Sequence, residues 1–358
     1  MRNSQHFITA SICSLIILSC SFEDFAISTS ISEEDLTQIL IDWQSRVDTL
    51  YDAQTQTSYY LLNPYKNRGA LSLKGGMHIH TSNSAAVDGY PSGTPEWTAI
   101  KYRDEGGFDF YTITDHNYNT PDPKVDGIIW MGNAIEDTKI ESSGHHLVIY
   151  NIPEDYEFQF ISDDINEQID YYHSIGALVS YAHPDWGSQY QSDDKVLSVR
   201  NADFVEVLNN HDGSIRAYNV LSTHYRIGAF ATDDFHFNTS KPNPGKSFNT
   251  GFLIVYAHKK TKKSIWRAII DGCYYASSGA KIDITCVNGI IKITSEIPTN
   301  FEIRAINPHD IRGNQVVYSK DKTSLFEYEI NPTYPVFWIM ATNEQGTAVS
   351  QTFYIKSS

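Results

Sequence analysis

The stretch Gly76-Met77-His78-Ile79-His80-Thr81 decides how this chain is read, and Ala231-Thr232-Asp233-Asp234-Phe235-His236 answers it far downstream. On an extended strand, side chains two residues apart point to the same face, so His78 and His80 form one pair of donors and Asp234 and His236 another. Each pair supplies half of a metal site. Between them lie Asp88, Asp115-His116, Glu136, His145-His146 and His183-Pro184. Most of these follow short apolar runs that read as strands. The runs are Phe108 to Ile113, Ile128 to Ile135, Ala177 to Ala182 and Ile227 to Ala231. Mixed histidine and carboxylate donors, delivered from the ends of successive strands, are what a polynuclear divalent-metal hydrolase requires.

Working outward, short apolar runs alternate with helical stretches from Gly75 to about Ala280, the helical ones being Pro95 to Glu105, Ile161 to Ile175 and Ser264 to Gly272. That alternation predicts parallel βα units, and donors at strand ends predict a barrel with its site at the C-terminal face. Beyond Gly279 the pattern changes to short alternating or β-branched runs, from Lys281 to Val287 through Ala348 to Ile355, broken by Asn-Gly, Asn-Pro and Gly turns. This predicts an all-β, sandwich-like module. Upstream, Leu36, Ile39, Leu40, Trp43, Val47 and Leu50 recur at spacings of three and four, which predicts an amphipathic helix within Ser32 to Tyr60. The expected division is therefore 1–20 as a signal segment, 21–69 as a helical lead-in, 70–280 as the metallohydrolase barrel and 281–358 as the β-module.

The chain has 358 residues and a formal charge of −16, room for one barrel-sized domain and a smaller one. Such acidity excludes a nucleic-acid polymer as the main partner, because phosphate neutralisation demands Lys and Arg. The basic run Lys259, Lys260, Lys262 and Lys263 reads as a solvated turn. At the N-terminus, Arg2 precedes an apolar stretch from Phe7 to Leu18, too short to span a bilayer and laid out like a secretory signal. Ile17-Leu18-Ser19-Cys20 resembles a bacterial lipobox, whose cysteine becomes the lipidated first residue; an ordinary signal peptide is the alternative. Both readings place the protein outside the cytoplasm, secreted, periplasmic or at the cell surface, with the membrane reached only by a lipid anchor on Cys20. Cys273 and Cys286 form no CxxC pair, which argues against zinc-thiolate chemistry; whether they pair with each other stays open.

Taken in order, these residues resemble the PHP family, the polymerase and histidinol phosphatase superfamily of metal-dependent phosphoesterases. The likeness is carried by Gly76 to Thr81, Asp88-Gly89, Ile113-Thr114-Asp115-His116-Asn117, Ala134-Ile135-Glu136-Asp137-Thr138, Gly144-His145-His146-Leu147, Tyr181-Ala182-His183-Pro184, Val205-Glu206-Val207-Leu208-Asn209 and Ala231 to His236. It covers residues 70 to 280. The resemblance implies an α/β fold, a distorted (β/α)7 barrel, holding two or three divalent ions, Zn, Mn or Fe. It implies that His78, His80, Glu136 and Asp234 hold one metal, that Glu136 bridges to a second completed by His145 and His183, and that Asp88, His116 and His236 hold a third. Of the two adjacent histidines, His145 is the expected ligand, since neighbouring strand residues point to opposite faces. Two alternatives stay open: Glu141 in place of Glu136, because the family's Pro-Gly is missing before it, and Asp233 in place of Asp234.

The chemistry expected of such a site is phosphate-ester hydrolysis by a metal-bridging hydroxide, since coordination lowers the pKa of water from 15.7 to about 7. Asp115 is the candidate catalytic side chain, orienting a ligand or protonating the leaving group; a supporting hydrogen bond to an imidazole is the equal alternative. Glu206 and Asn209, near the same rim after the strand Phe204 to Leu208, read first as structural hydrogen-bonding residues, with holding a ligand histidine or touching substrate as the alternative, and His211, His224 and Asp185 read as pocket-shaping rather than ligating. Trp97, Tyr102, Trp186 and Tyr190 raise the prospect of stacking on a sugar or base, so the expected partner is a small phosphorylated substrate, sugar- or nucleotide-linked. A metallohydrolase of C–N or carboxylic ester bonds and a non-catalytic extracellular glycan-binding protein are the competing readings.

Overall fold

Among the described residues the β-branched and aromatic runs become eighteen strands, and what positions the site is how two sheets meet at their strand ends. The computed structural model describes residues 46–357, apart from 53–54, 89–91, 140–144, 187–191, 210–212, 223, 239–244 and 308–309. In chain order, β1 (Val47–Asp52) and β2 (Thr57–Leu62) come first, followed by β3 (Leu71–Gly76), β4 (Phe110–Tyr111), β5 (Ile129–Trp130), β6 (Ala134–Asp137) and β7 (His146–Tyr150). Next come β8 (Leu178–Ala182), β9 (Phe204–Asn209), β10 (Gly228–Thr232), β11 (Phe252–Ala257) and β12 (Tyr274–Ser277). The C-terminal part adds β13 (Asp283–Val287), β14 (Ile290–Asn307), β15 (Asp310–Glu329), β16 (Val336–Asn343), β17 (Gly346–Ser350) and β18 (Phe353–Ser357).

A five-stranded sheet runs β10-β9-β8-β7-β6, while β3, β4 and β5 belong to a thirteen-stranded sheet. Parallel bridges join the two beyond the strand ends, Ile79 with Phe235 and His116 with Glu136. The amide of Thr114 donates to the Ile79 carbonyl at 2.8 Å, so β3 and β4 stay paired as they enter this rim. Both sides of the rim are thus fixed by backbone hydrogen bonds. The fold is mixed α/β, and the described residues do not show the distorted (β/α)7 barrel expected. β7 runs antiparallel to both β6 and β8, and β4 and β5 are two residues each. No described helix lies between β5 and β6 or between β6 and β7.

The helices that do form have local causes. Pro95–Asp104 starts on Pro with Thr94 capping the amide of Trp97. Ile165–Ser174 is capped by Asp164 and buries Ile165, Ile169 and Tyr172, one face at helical spacing. Lys262–Ile270 is capped by Thr261.

Two apolar clusters sit on opposite faces of the five-stranded sheet. On β7, Leu147 and Ile149 join Ile165, Ile169, Tyr181 and Tyr218 in the helix-side cluster. Val148 and Tyr150 join Met77, Ile79, Phe204 and Phe230 in the inner one. Both faces of β7 are therefore buried.

Two expectations change at the ends of the chain. In place of the helix predicted within Ser32 to Tyr60, β1 and β2 form an antiparallel hairpin from Val47 opposite Leu62 to Asp52 opposite Thr57. Val47, Thr49, Thr57, Tyr59 and Tyr60 are residues that a pleated surface accommodates; the part of that prediction before residue 46 lies outside the described residues, as does the signal segment. At the other end the described residues of 281–358 form strands and no helix, and these strands are continuous with the sheet that holds β3. β17 pairs with β12, β18 with β2, and the sheet continues through β11 to β3. Cys273 and Cys286 are both free and buried. Among the described residues no helix is long and apolar enough to cross a membrane.

Candidate metal centre

The strand ends place five imidazoles around one carboxylate. Glu136 leaves β6 on its inner face, and its Oε2 lies 3.1 Å from His78 Nε2, 3.1 Å from His80 Nε2 and 2.8 Å from His116 Nε2. Its Oε1 lies 2.8 Å from His146 Nδ1 and 3.0 Å from His183 Nε2. Asp234 Oδ1 faces the same space, 3.4 Å from His78 Nε2, 3.2 Å from His80 Nε2 and 3.4 Å from His236 Nδ1. His183 and Asp234 adopt φ of 21° and 44°, left-handed conformations that cost a branched backbone about 1–3 kcal/mol each and persist where the surroundings impose them.

Three overlapping groups of donors result: His78, His80, Glu136 and Asp234; Glu136, His146 and His183; His80, His116 and His236. Hydrogen bonding accounts for them only in part: Glu136 Oε1 is hydrogen-bonded to His146 Nδ1 at 2.8 Å and His183 Nε2 at 3.0 Å, whereas Glu136 Oε2 and Asp234 Oδ1 are buried with no hydrogen-bond partner despite their imidazole neighbours. Two nitrogens, His78 Nε2 and His80 Nε2, also face each other at 3.0 Å. Donor atoms about 2.0–2.2 Å from a shared ion lie roughly 3.0–3.5 Å apart, close to the spacing found here. These residues could hold divalent metal ions, and a set of imidazoles and carboxylates without thiolate suits Zn, Mn or Fe.

Within the cluster, imidazoles and carboxylates shift one another's ionisation. Burial alone would lower the His78 imidazole, yet Asp234, Glu206 and Glu136 hold it well above its usual value. Burial, with His236 and His116 adding, lowers His80. Burial opposes ionisation of Glu136, but His78 and His116 outweigh it and keep this carboxyl well below the usual range.

A supporting layer fixes the donors. Glu206, fully buried, shares a hydrogen bond with His78 Nδ1 at 2.7 Å and accepts from the His183 amide at 2.9 Å and Asn209 Nδ2 at 2.8 Å. One carboxylate thus orients histidines of two donor groups. Asp88 Oδ1 lies 2.8 Å from His116 Nδ1, and its Oδ2 3.7 Å from His236 Nε2. Asp88, expected as a ligand with His116 and His236, flanks these imidazoles and falls outside the three groups, while its Oδ2, like Glu136 Oε2 and Asp234 Oδ1, is buried with no hydrogen-bond partner.

Asp115 is placed otherwise than a catalytic acid would be. It is fully buried and accepts from the Thr81 amide and hydroxyl at 2.6 and 2.7 Å, from Ser84 Oγ at 2.9 Å and from Thr120 Oγ1. Ser84 in turn contacts His80 Nδ1 at 3.1 Å and accepts from the His116 amide at 2.9 Å. Asp115 supports the loop that carries His80, and its lone pairs are spent there.

The adjacent histidines sit the other way round from expectation. His146 shares the inner face of β7 with Val148 and Tyr150 and joins Glu136 and His183, whereas His145 lies on the other side, 2.8 Å from the Tyr181 hydroxyl. Burial, with Lys195 and His146 adding, pushes His145 down to about 4. Asp233 turns away too, taking the Tyr102 hydroxyl at 2.7 Å and the Asn249 amide at 2.9 Å; burial pushes it up to about 7. Asp185 pairs with Arg216 at 2.9 Å, and His224 Nδ1 contacts the Val220 carbonyl at 3.1 Å. Glu141, Tyr190 and His211 lie outside the described residues.

No protein-family model and no curated protein matches the chain. Among solved structures it is similar to a two-domain protein containing a predicted PHP-like metal-dependent phosphoesterase from Bacteroides vulgatus. The two share 14% identity at a TM-score of 0.40, over 80% of this chain and 95% of that one. The functional reading rests on this chain's own residues.

Proposed function

We propose that this chain is a metal-dependent phosphoesterase. The observation that carries the reading is the Glu136 carboxylate, buried and offering one oxygen to His78, His80 and His116 and the other to His146 and His183. The order of histidine and carboxylate segments along the chain, similar to that of the PHP phosphoesterases, favours phosphate esters as substrates. When bound, divalent ions here supply Lewis acidity and activate water at neutral pH.

The protein's own part is to hold the donors and exclude competing geometries. His78, His80, Glu136 and Asp234 would hold one ion, Glu136, His146 and His183 a second, and His80, His116 and His236 form the remaining group. Glu206 keeps His78 in a single orientation and ties the backbone of His183 to it. Asp115, through Thr81 and Ser84, holds the turn after His80. The lipobox-like Ile17 to Cys20 supports export and a lipid anchor on Cys20, and the substrate is a small phosphorylated molecule.

The test is hydrolysis of aryl phosphate mono- and diesters beside an aryl carboxylic ester and an anilide, all at one metal loading, for wild type and His80→Ala. Phosphoester turnover lost in the variant is expected. Turnover of the carboxylic ester or anilide alone moves the assignment to a metallohydrolase of C–N or carboxylic ester bonds, and no turnover of any of the four contradicts the assignment as an enzyme.

A further inference from the structure

Beside the donor group of Glu136, His146 and His183 stands a large aromatic that the core does not need. Trp186 is 40% exposed, and its ring centre lies 5.7 Å from that of His146 and 5.8 Å from that of His183. Its place is fixed from below. The Trp186 amide donates to the His183 carbonyl at 3.0 Å, closing a turn through Pro184 and Asp185, and Asp185 is pinned by Arg216 at 2.9 Å. A hydrogen-bonded turn therefore holds an indole against two candidate ligands while leaving much of its surface exposed.

We propose that Trp186 is a stacking wall for the substrate, and that the site prefers phosphate esters whose alcohol carries a ring. Indole is well suited to that task, because its flat apolar face is presented at little entropic cost and stacks on a base or on the C–H face of a sugar. Its distance from His146 and His183 is such that an ester whose phosphate sits at the donors places its ring within reach of the indole. The inference rests on the phosphoesterase reading and sets the substrate class for it.

The test separates the two. Calorimetric titration of the metal-loaded full chain with hydrolysis-resistant thiophosphate esters of adenosine, glucose and glycerol is done for wild type, Trp186→Ala and Trp186→Phe, with metal content checked in each. Expected is binding of the adenosine or the glucose ester about tenfold tighter than the glycerol ester, a preference erased in Trp186→Ala and kept in Trp186→Phe at unchanged metal content. Loss with adenosine alone identifies a base as the stacked group, and loss with glucose alone a sugar. Equal affinity for all three in wild type, an equal loss for all three in Trp186→Ala, or no binding at all overturns the proposal. Hydrolysis of the corresponding phosphates is followed in parallel: a ring preference in binding without hydrolysis leaves Trp186 as a binding wall and removes the phosphoesterase assignment.

Discussion

Glu136 and Asp115 are neighbouring buried carboxylates with opposite environments. Asp115 takes four donors, two from Thr81 and one each from Ser84 and Thr120. Glu136 is ringed by imidazole nitrogens of five histidines, and its Oε2 makes no hydrogen bond. A carboxylate satisfied by hydroxyls and an amide is scaffold; one with an oxygen left without a hydrogen bond among converging imidazoles could hold a cation. The difference lies in what surrounds the two groups, since burial is nearly the same.

The comparison makes predictions that separate the two regions. Glu136→Gln removes the charge shared by the donor groups, and phosphoester turnover is expected to fall at least about a thousandfold, roughly 4 kcal/mol of barrier, while the fold persists by circular dichroism. Asp115→Ala acts on the other side of the comparison: it strands buried donors and is expected to cost about 3–5 kcal/mol of stability, read from the denaturant midpoint of the metal-free protein. An Asp115→Ala protein of wild-type stability with no turnover would instead return Asp115 to the role of catalytic acid.

Glu206→Gln keeps the shape but weakens the grip on His78, and metal affinity is expected to drop about 10–100-fold in chelator competition. The smallest expected effect is at β7. His146→Ala should lower bound metal by about one equivalent, consistent with a donor lost from a mixed-ligand site, and His145→Ala should leave the metal content unchanged. The reverse order would overturn the placement of the two histidines.

Much of this site was legible because strand periodicity and strand-end position are local properties. His78 and His80 read as a pair from their spacing alone, and Glu136, His183 and Asp234 from the apolar runs before them. The adjacent histidines were not readable in the same way. Leu147 and Ile149 pack under the helices while Val148 and Tyr150 pack inside, so hydrophobicity marks neither face of β7 as the inner one. Glu206 could be placed near the rim by its own strand, but not assigned to His78 and His183, because these partners come from other strands. In the fold, the helical spacing of Leu36 to Leu50 misled at Val47 to Asp52, where pairing with β2 and, through it, β18 prevails. The C-terminal strands were visible in sequence, but their union with β12 depends on contacts between residues such as Tyr275 and Ser350, which sequence pattern does not reveal.

The most direct test is elemental analysis of the purified wild-type protein and of Glu136→Gln. Two or more equivalents of divalent metal per chain in wild type, falling to one or none in the variant, is the predicted result; a wild type without metal, or a variant that keeps the full complement, would contradict a cluster organised around Glu136.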